Sequence, residues 1–420
     1  MNPFSENPRK LNDMLMDWGQ MYAAPYDKNA VDPYTRTRVI LMNGTEFEAV
    51  WFSHQFSRHC PDNELRRQIA LIRRSEQQQQ KLISMLKPPD ETILEHTIGY
   101  EQLAVDLTAG LAQMVPDEYV KKALDFALLE DFDHLYRYAN LLEMESGVYA
   151  ENLVGRYTEI MPGRPTVSEH RYPFDSIKRH IDKDAALMTK LAVGTITAAE
   201  QQTMNFYMNT CGMYQSELGR KLYQEIGMIE EQHVTHYGSL MDVNETWLAC
   251  LLMHQYTECW LYWSCAETET DMRIKKLWQK LFEQEISHLH VAAQLLKKFE
   301  GREWQQVIPN GEFPAPLQLK SNIPYVREVL RLTVEETAVR ESYEDVSQIK
   351  PDFDYFTYQQ IVNRDLGAVP SHMVIEQSIA KNGQDYRWET EKNPIAELQN
   401  RKKDNTRVGR EPVPQMAGKR

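Results

Sequence analysis

The chain has 420 residues, 42% hydrophobic and 26% charged, and a formal net charge of −14. That length can bury a large core in one or two domains, and the acidic balance argues against nucleic-acid binding, which needs Lys and Arg clustered against phosphates. The five cysteines, Cys60, Cys211, Cys250, Cys259 and Cys265, form no CxxC pair; reduced thiols are expected, and no zinc ribbon can be built from them.

Residues 1–43 are turn-rich and carry aromatic side chains at Trp18, Tyr22 and Tyr26, which predicts an N-terminal arm anchored on a helical body. No stretch of ~18 apolar residues occurs and the start of the chain lacks an apolar signal core, so no membrane span and a cytoplasmic location are expected. Thr45-x-x-Glu48 has the form of a capping box, placing a helix over 45–60. Helical spacing then predicts four hairpins over 45–86, 91–144, 184–241 and 245–299, within a body spanning 44–300. Residues 146–183, with Pro162, Pro165 and Pro173, form a long connection. Beyond Gly301 the periodicity fades: one helix is expected over 325–346 in a C-terminal extension 301–420 that is otherwise irregular, with Tyr355, Phe356 and Tyr358 as anchors. The last twenty residues hold seven Lys or Arg against two acids, a basic tail expected to be flexible or to lie on a partner.

A repeat runs through the body: Glu, a turn, then Glu-x-x-His or a variant of it on the returning helix. Glu200 precedes Glu230 and His233 by 30 residues, and Glu101 precedes Asp131 and His134 by the same 30, counted to the carboxylate. Glu258 precedes Glu285 and His288 by 27, and Glu48 precedes Glu76 and Gln79 by 28, with Gln where His would complete the motif. Residues at i and i+3 share a helix face, so each pair can grip one ion, and the earlier Glu comes level with it across the turn. Carboxylates can hold two divalent ions ~3.5–4 Å apart, and imidazole adds a nitrogen donor that suits iron. His236 and His290 fall off the ligand face, and Tyr100, Tyr207 and Tyr237 are assigned to packing.

These motifs, Ile229-Glu230-Glu231-Gln232-His233 above all, resemble the ferritin-like superfamily of di-iron and di-manganese carboxylate proteins, in which two helices each supply one Glu and two supply Glu-x-x-His. The likeness covers 91–242, with 245–299 as an added hairpin. It implies an all-α fold: a ferritin-like four-helix bundle with one long crossover, enlarged by additional helical hairpins. It also implies a ligand set of Glu101, Asp131, His134, Glu200, Glu230 and His233. Asp131 stands where Glu is usual, which leaves Glu130 as an alternative ligand. On this view hairpins 91–144 and 184–241 pair across the connection 146–183. Glu258, Glu285 and His288 are then left as a second candidate site facing the first hairpin or another subunit.

The expected function is a non-haem di-iron oxidoreductase acting on O2 or peroxide. A small organic substrate and a separate electron donor are expected with it, since the sequence shows no flavin, nicotinamide or iron–sulfur motif. Two manganese ions with catalase-like peroxide disproportionation, or a non-catalytic ferritin-like structural protein, are the alternatives. No nucleic-acid or membrane partner is expected, and a homo-oligomer is compatible with the pattern.

Overall fold

The computed structural model describes residues 1–161, 179–333, 336–339 and 342–383. Within them the chain is all-α apart from one small hairpin. Eight long helices make the body: α1 (Pro33–His59), α2 (Asn63–Ser84), α3 (Ile93–Met114), α4 (Glu118–Ser146), α6 (Leu187–Met213), α7 (Glu217–Ser239), α8 (Trp247–Thr268) and α9 (Met272–Glu300), with the single turn α5 at Ala150–Leu153. Their ends follow local chemistry. Thr92 and Glu95 form a capping box on α3, Asp117 caps α4, Ser216 caps α7 and Thr246 caps α8. Gly147 and Gly301 stop α4 and α9 in the left-handed region, with φ of 69° and 67°.

The helices pair as hairpins α1/α2, α3/α4, α6/α7 and α8/α9, and the hairpins pair into two four-helix groups. In the first, α3 packs on α6 and α4 on α7; in the second, α1 packs on α8 and α2 on α9. The groups share one continuous hydrophobic core, and α1 joins them by packing on both α3 and α6. This contact is close: a Cβ at Gly99 of α3 would lie 2.6 Å from Cδ of Arg36 on α1. Among the described residues no helix is long and apolar enough to cross a membrane.

Several expectations from the sequence need correction. The first helix begins at Pro33 rather than near residue 45, so the expected boundary between arm and body falls inside α1. Asp32 caps it through Tyr34 N, and Pro33 supplies the preset φ of a first helical residue. Thr45 is therefore mid-helix, its hydroxyl bonding back to Leu41 O, and Thr45-x-x-Glu48 caps nothing. In the arm, Trp18 and Tyr22 are 88% and 66% exposed; Tyr26 is buried, and the other anchors are Leu11, Met14 and Met16, with Phe4 stacked on Trp304.

The helix expected over 325–346 ends early: α10 spans Ile323–Thr333, followed by an antiparallel hairpin of β1 (Glu336–Val339) and β2 (Ser342–Asp345). Two further helices, α11 (Asp354–Val362) and α12 (Pro370–Asn382), occupy a stretch expected to be irregular. The signals for α12 are Pro370 at its start and Gly383, at φ 82°, at its end. It packs against α4 and α7: Glu225 of α7 accepts from Ser371 N and Oγ at 2.6 and 2.9 Å, and Arg137 of α4 donates to Ser371 O. Part of the long connection, residues 162–178, and the basic tail lie outside the described residues.

Candidate metal centre

Helices α3, α4, α6 and α7 bring seven ionisable side chains into one interior, each no more than 2% exposed: Glu101, Glu130, Asp131, His134, Glu200, Glu230 and His233. The i, i+3 spacing aims Asp131 with His134 and Glu230 with His233 along single helix faces. Across the hairpin turns, Glu101 and Glu200 come level with them.

Glu230 is common to two sets of ligand atoms, each set lying within 4.8 Å of one another: Asp131, Glu200, Glu230 and His233 in one, Glu101, His134 and Glu230 in the other. Its Oε1 is 2.9 Å from His134 Nδ1, and its Oε2 is 3.2 Å from His233 Nδ1. His233 Nδ1 also lies 3.2 Å from Asp131 Oδ1 and 3.7 Å from Glu200 Oε2. The far nitrogen, His233 Nε2, is 2.7 Å from Glu130 Oε2. A proton on Nε2, donated to Glu130, leaves the Nδ1 lone pair facing the cluster. Asp131 is therefore the α4 carboxylate inside the cluster, and Glu130 orients a histidine from behind.

Charge and solvation are unbalanced. Burial, reinforced by the neighbouring Glu230 carboxylate, pushes Glu101 well above the usual range, and burial with the charge of Asp131 does the same to Glu200. Burial also raises Asp131, against the pull of His233. For Glu230 burial acts upward too, but the imidazoles of His134 and His233 together hold it low. Burial alone would depress His233; the carboxylates of Asp131 and Glu230 overcome it and raise the ring. Glu101 Oε2, Asp131 Oδ1, both oxygens of Glu200, Glu230 Oε2 and His233 Nδ1 make no hydrogen bond of acceptable geometry. Buried acceptors in that state each cost about 1–3 kcal/mol. A cation would take these same atoms, so the cluster can hold a metal ion. Tyr207 of α6 donates to Glu101 Oε1 at 2.6 Å, which fixes that carboxylate and leaves its other oxygen turned to the centre.

A second polar interior lies in the α1/α2/α8/α9 group, which brings Glu258, Glu285 and His288 against the first hairpin of the same chain. The α1 carboxylate that enters it is Glu46, fully buried and bonded by the hydroxyl of Tyr262. Glu48, the residue expected there, instead sits 3.2 Å from His254 Nε2. The signal for Glu46 was present in the sequence: it precedes Glu76 by 30 residues, the spacing of the Glu101 and Glu200 hairpins. Here side-chain amides occupy the centre. Gln79 Nε2 donates to Glu285 Oε1 at 2.7 Å, and Gln255 Nε2 is 2.9 Å from Glu76 Oε1 and 2.8 Å from Glu258 Oε2. His288 Nδ1 lies 3.0 Å from Oε1 and 3.1 Å from Oε2 of its own i−3 partner, Glu285. Among the described residues, only the α3/α4/α6/α7 clusters meet the 4.8 Å ligand-atom spacing, so Glu258, Glu285 and His288 are not drawn into such a set.

The remaining single residues sort simply. His236, placed off the ligand face by the sequence, is buried with Nε2 2.8 Å from the Tyr343 hydroxyl, and half-buried His290 reaches Pro3 O. All five cysteines are free. No family model, curated protein or solved structure matches the chain.

Proposed function

We propose that the α3/α4/α6/α7 group is a ferritin-like bundle whose centre holds two transition-metal ions, most naturally iron, and that the protein is a di-metal carboxylate oxidoreductase acting with O2 or peroxide. One observation carries the reading: Glu230 belongs to both sets of converging ligand atoms, so it can serve two ions at once. Asp131, Glu200 and His233 would complete one ion's set, Glu101 and His134 the other's. Two iron ions bound there would supply the redox chemistry of O2 or peroxide.

The protein's own groups supply the rest. Glu130 keeps His233 in the tautomer that presents Nδ1. Tyr207 holds Glu101 and keeps one proton donor beside that carboxylate. Burial of every ligand excludes bulk water and strengthens each electrostatic contact.

The test is metal content per chain on protein purified without added metal, with optical spectra before and after exposure to O2. About two iron ions per chain, and new near-ultraviolet absorption after O2, are expected. About two manganese ions with peroxide disproportionation would move the reaction to the catalase type. Folded protein that holds no metal and takes up neither Fe(II) nor Mn(II) would overturn the reading.

A further inference from the structure

Between the two four-helix groups lies a cavity of about 630 Å³, bounded by α1, α6, α7 and α8. That is within the 300–1,000 Å³ range of small-molecule sites. It shares two helices, α6 and α7, with the candidate metal centre. Val193, Thr197 and Gln201 of α6 line it. At 100° per residue, Glu200 lies about 20° round the helix from Val193 and one turn from Thr197. On α7 the lining residue Val234 follows His233 directly and is four residues beyond Glu230. Glu200 does not itself line the cavity, but its neighbours on α6, Thr197, Ala198 and Gln201, do, and neither Glu200 oxygen is hydrogen-bonded.

The lining chemistry selects a ligand. Trp51, Phe52, Trp247 and Met253 make apolar walls, and Trp51 and Trp247 are 47% and 40% exposed. Phe52 packs on His254 at 4.4 Å between ring centroids. Of the polar side chains in the lining, the hydroxyls of Thr45, Thr197 and Thr257 turn back to carbonyls of their own helices, whereas the side chains of the Glu48–His254 pair keep 10% and 17% of their surface. Burial pushes Glu48 up to about 8 and His254 down to about 4, so at neutral pH the acid keeps its proton and the ring is uncharged. Charges in the lining come from Asp242, Glu245 and Lys190, and the Lys190 ammonium already donates to Lys183 O at 2.6 Å. Glu245 is itself paired with Arg302 at 3.2 Å, so an anion entering this space would meet cations that are already engaged. Two lining glycines show that the space is free of close neighbours: a Cβ at Gly238 would meet nothing within 4 Å, and one at Gly194 only Thr257 Oγ1, at 3.9 Å.

We propose that this cavity is the substrate chamber of the metal centre and takes an uncharged, mainly apolar molecule bearing one hydrogen-bonding group. The apolar part fills the space between the tryptophans and α6, and the polar group meets the Glu48–His254 pair. The chamber's role as a substrate site rests on the di-metal reading above.

The experiment uses the full, metal-loaded chain and two probes of matched shape, 2-naphthol and naphthalene-2-sulfonate, followed by calorimetry and by the optical spectrum of the metal. Expected is saturable binding of one 2-naphthol per chain with a negative heat-capacity change, a change in the metal spectrum, and binding of the sulfonate at least about tenfold weaker. Gly194→Leu, which raises helix propensity while filling the cavity, should weaken 2-naphthol binding at least about tenfold with metal content unchanged. Gly238→Leu gives the same test from α7 should the first variant misfold. Metal-loaded protein that binds no 2-naphthol, binds both probes equally, or is indifferent to the leucines overturns the chamber and leaves the metal reading standing. Naphthol binding that leaves the metal spectrum unchanged overturns the substrate role. Protein that binds naphthol but takes up no metal overturns the metal reading and the substrate role with it.

Discussion

In both four-helix groups a tyrosine from a facing helix fixes the first carboxylate: Tyr207 bonds Glu101, and Tyr262 bonds Glu46. Both groups set a carboxylate on the returning helix 30 residues later, Asp131 and Glu76, and both bury an i, i+3 Glu–His pair opposite, Glu230–His233 and Glu285–His288. They part at three positions. Where His134 Nδ1 meets Glu230, Gln79 Nε2 meets Glu285. Where Glu130 precedes Asp131 and holds His233 from behind, Ser75 precedes Glu76. Three residues before Glu200 stands Thr197, whose hydroxyl turns back to Val193 O; three before Glu258 stands Gln255, whose amide joins two carboxylates. Both interiors keep ligand atoms without hydrogen-bond partners, among them Glu46 Oε2, Glu76 Oε2, Glu258 Oε1 and His288 Nε2 in the second. Among the described residues they converge within 4.8 Å in the first alone, while in the second amide N–H groups bind carboxylates to one another. Buried carboxylates alone therefore do not give converging ligand atoms. What differs is whether the atoms draw together, as in the two sets that share Glu230, or are tied to amide donors, as by Gln79 and Gln255.

Glu230→Ala should lower metal content from about two ions per chain to near zero, because it removes the ligand common to both sets. Glu285→Ala with His288→Ala should leave the metal content as it was; elemental analysis of variants with native circular dichroism decides between them. Next, Gln79→His with Gln255→Thr copies the first interior onto the second and should add about one ion per chain; unchanged stoichiometry in a folded variant would show that the amides are not what excludes metal.

A smaller effect reports on the second interior by proton linkage in metal-free protein. Burial raises Glu76 from 4.5 to about 7, with Glu285 adding to it and His288 opposing. The folded state then holds a proton that the unfolded state releases, so this contribution is complete below the unfolded value and is lost as pH rises through about 7. The ceiling is roughly 3 kcal/mol at 1.36 kcal/mol per pH unit. Thermal melts from pH 5 to 8 should show stability falling, and Glu76→Gln should flatten that slope. The smallest change expected is from Glu130→Gln, which weakens the hold on His233 and should lower metal affinity by ~10–100-fold without abolishing it, as read by chelator competition.

Much of this was legible in the sequence. The eight long helices follow from their spacing and caps, and Glu-x-x-His with its earlier Glu marks the side chains that share one helix face. The long connection allowed α3/α4 to pair with α6/α7, as they do. Where one residue pattern misleads, a stronger local signal stands in the sequence: Asp32-Pro33 for the start of α1, Pro370 and Gly383 for α12, and the 30-residue spacing that selects Glu46 over Glu48. Helical periodicity and end chemistry act within a few residues, so the chain determined by itself which groups lie on which face. Only the tertiary structure decided which faces meet. That is why Glu130 turns out to hold a histidine 103 residues away, why Gln255 fills the second interior, and why a cavity opens between α1, α6, α7 and α8. Each depends on packing between helices distant in sequence, which no local pattern encodes.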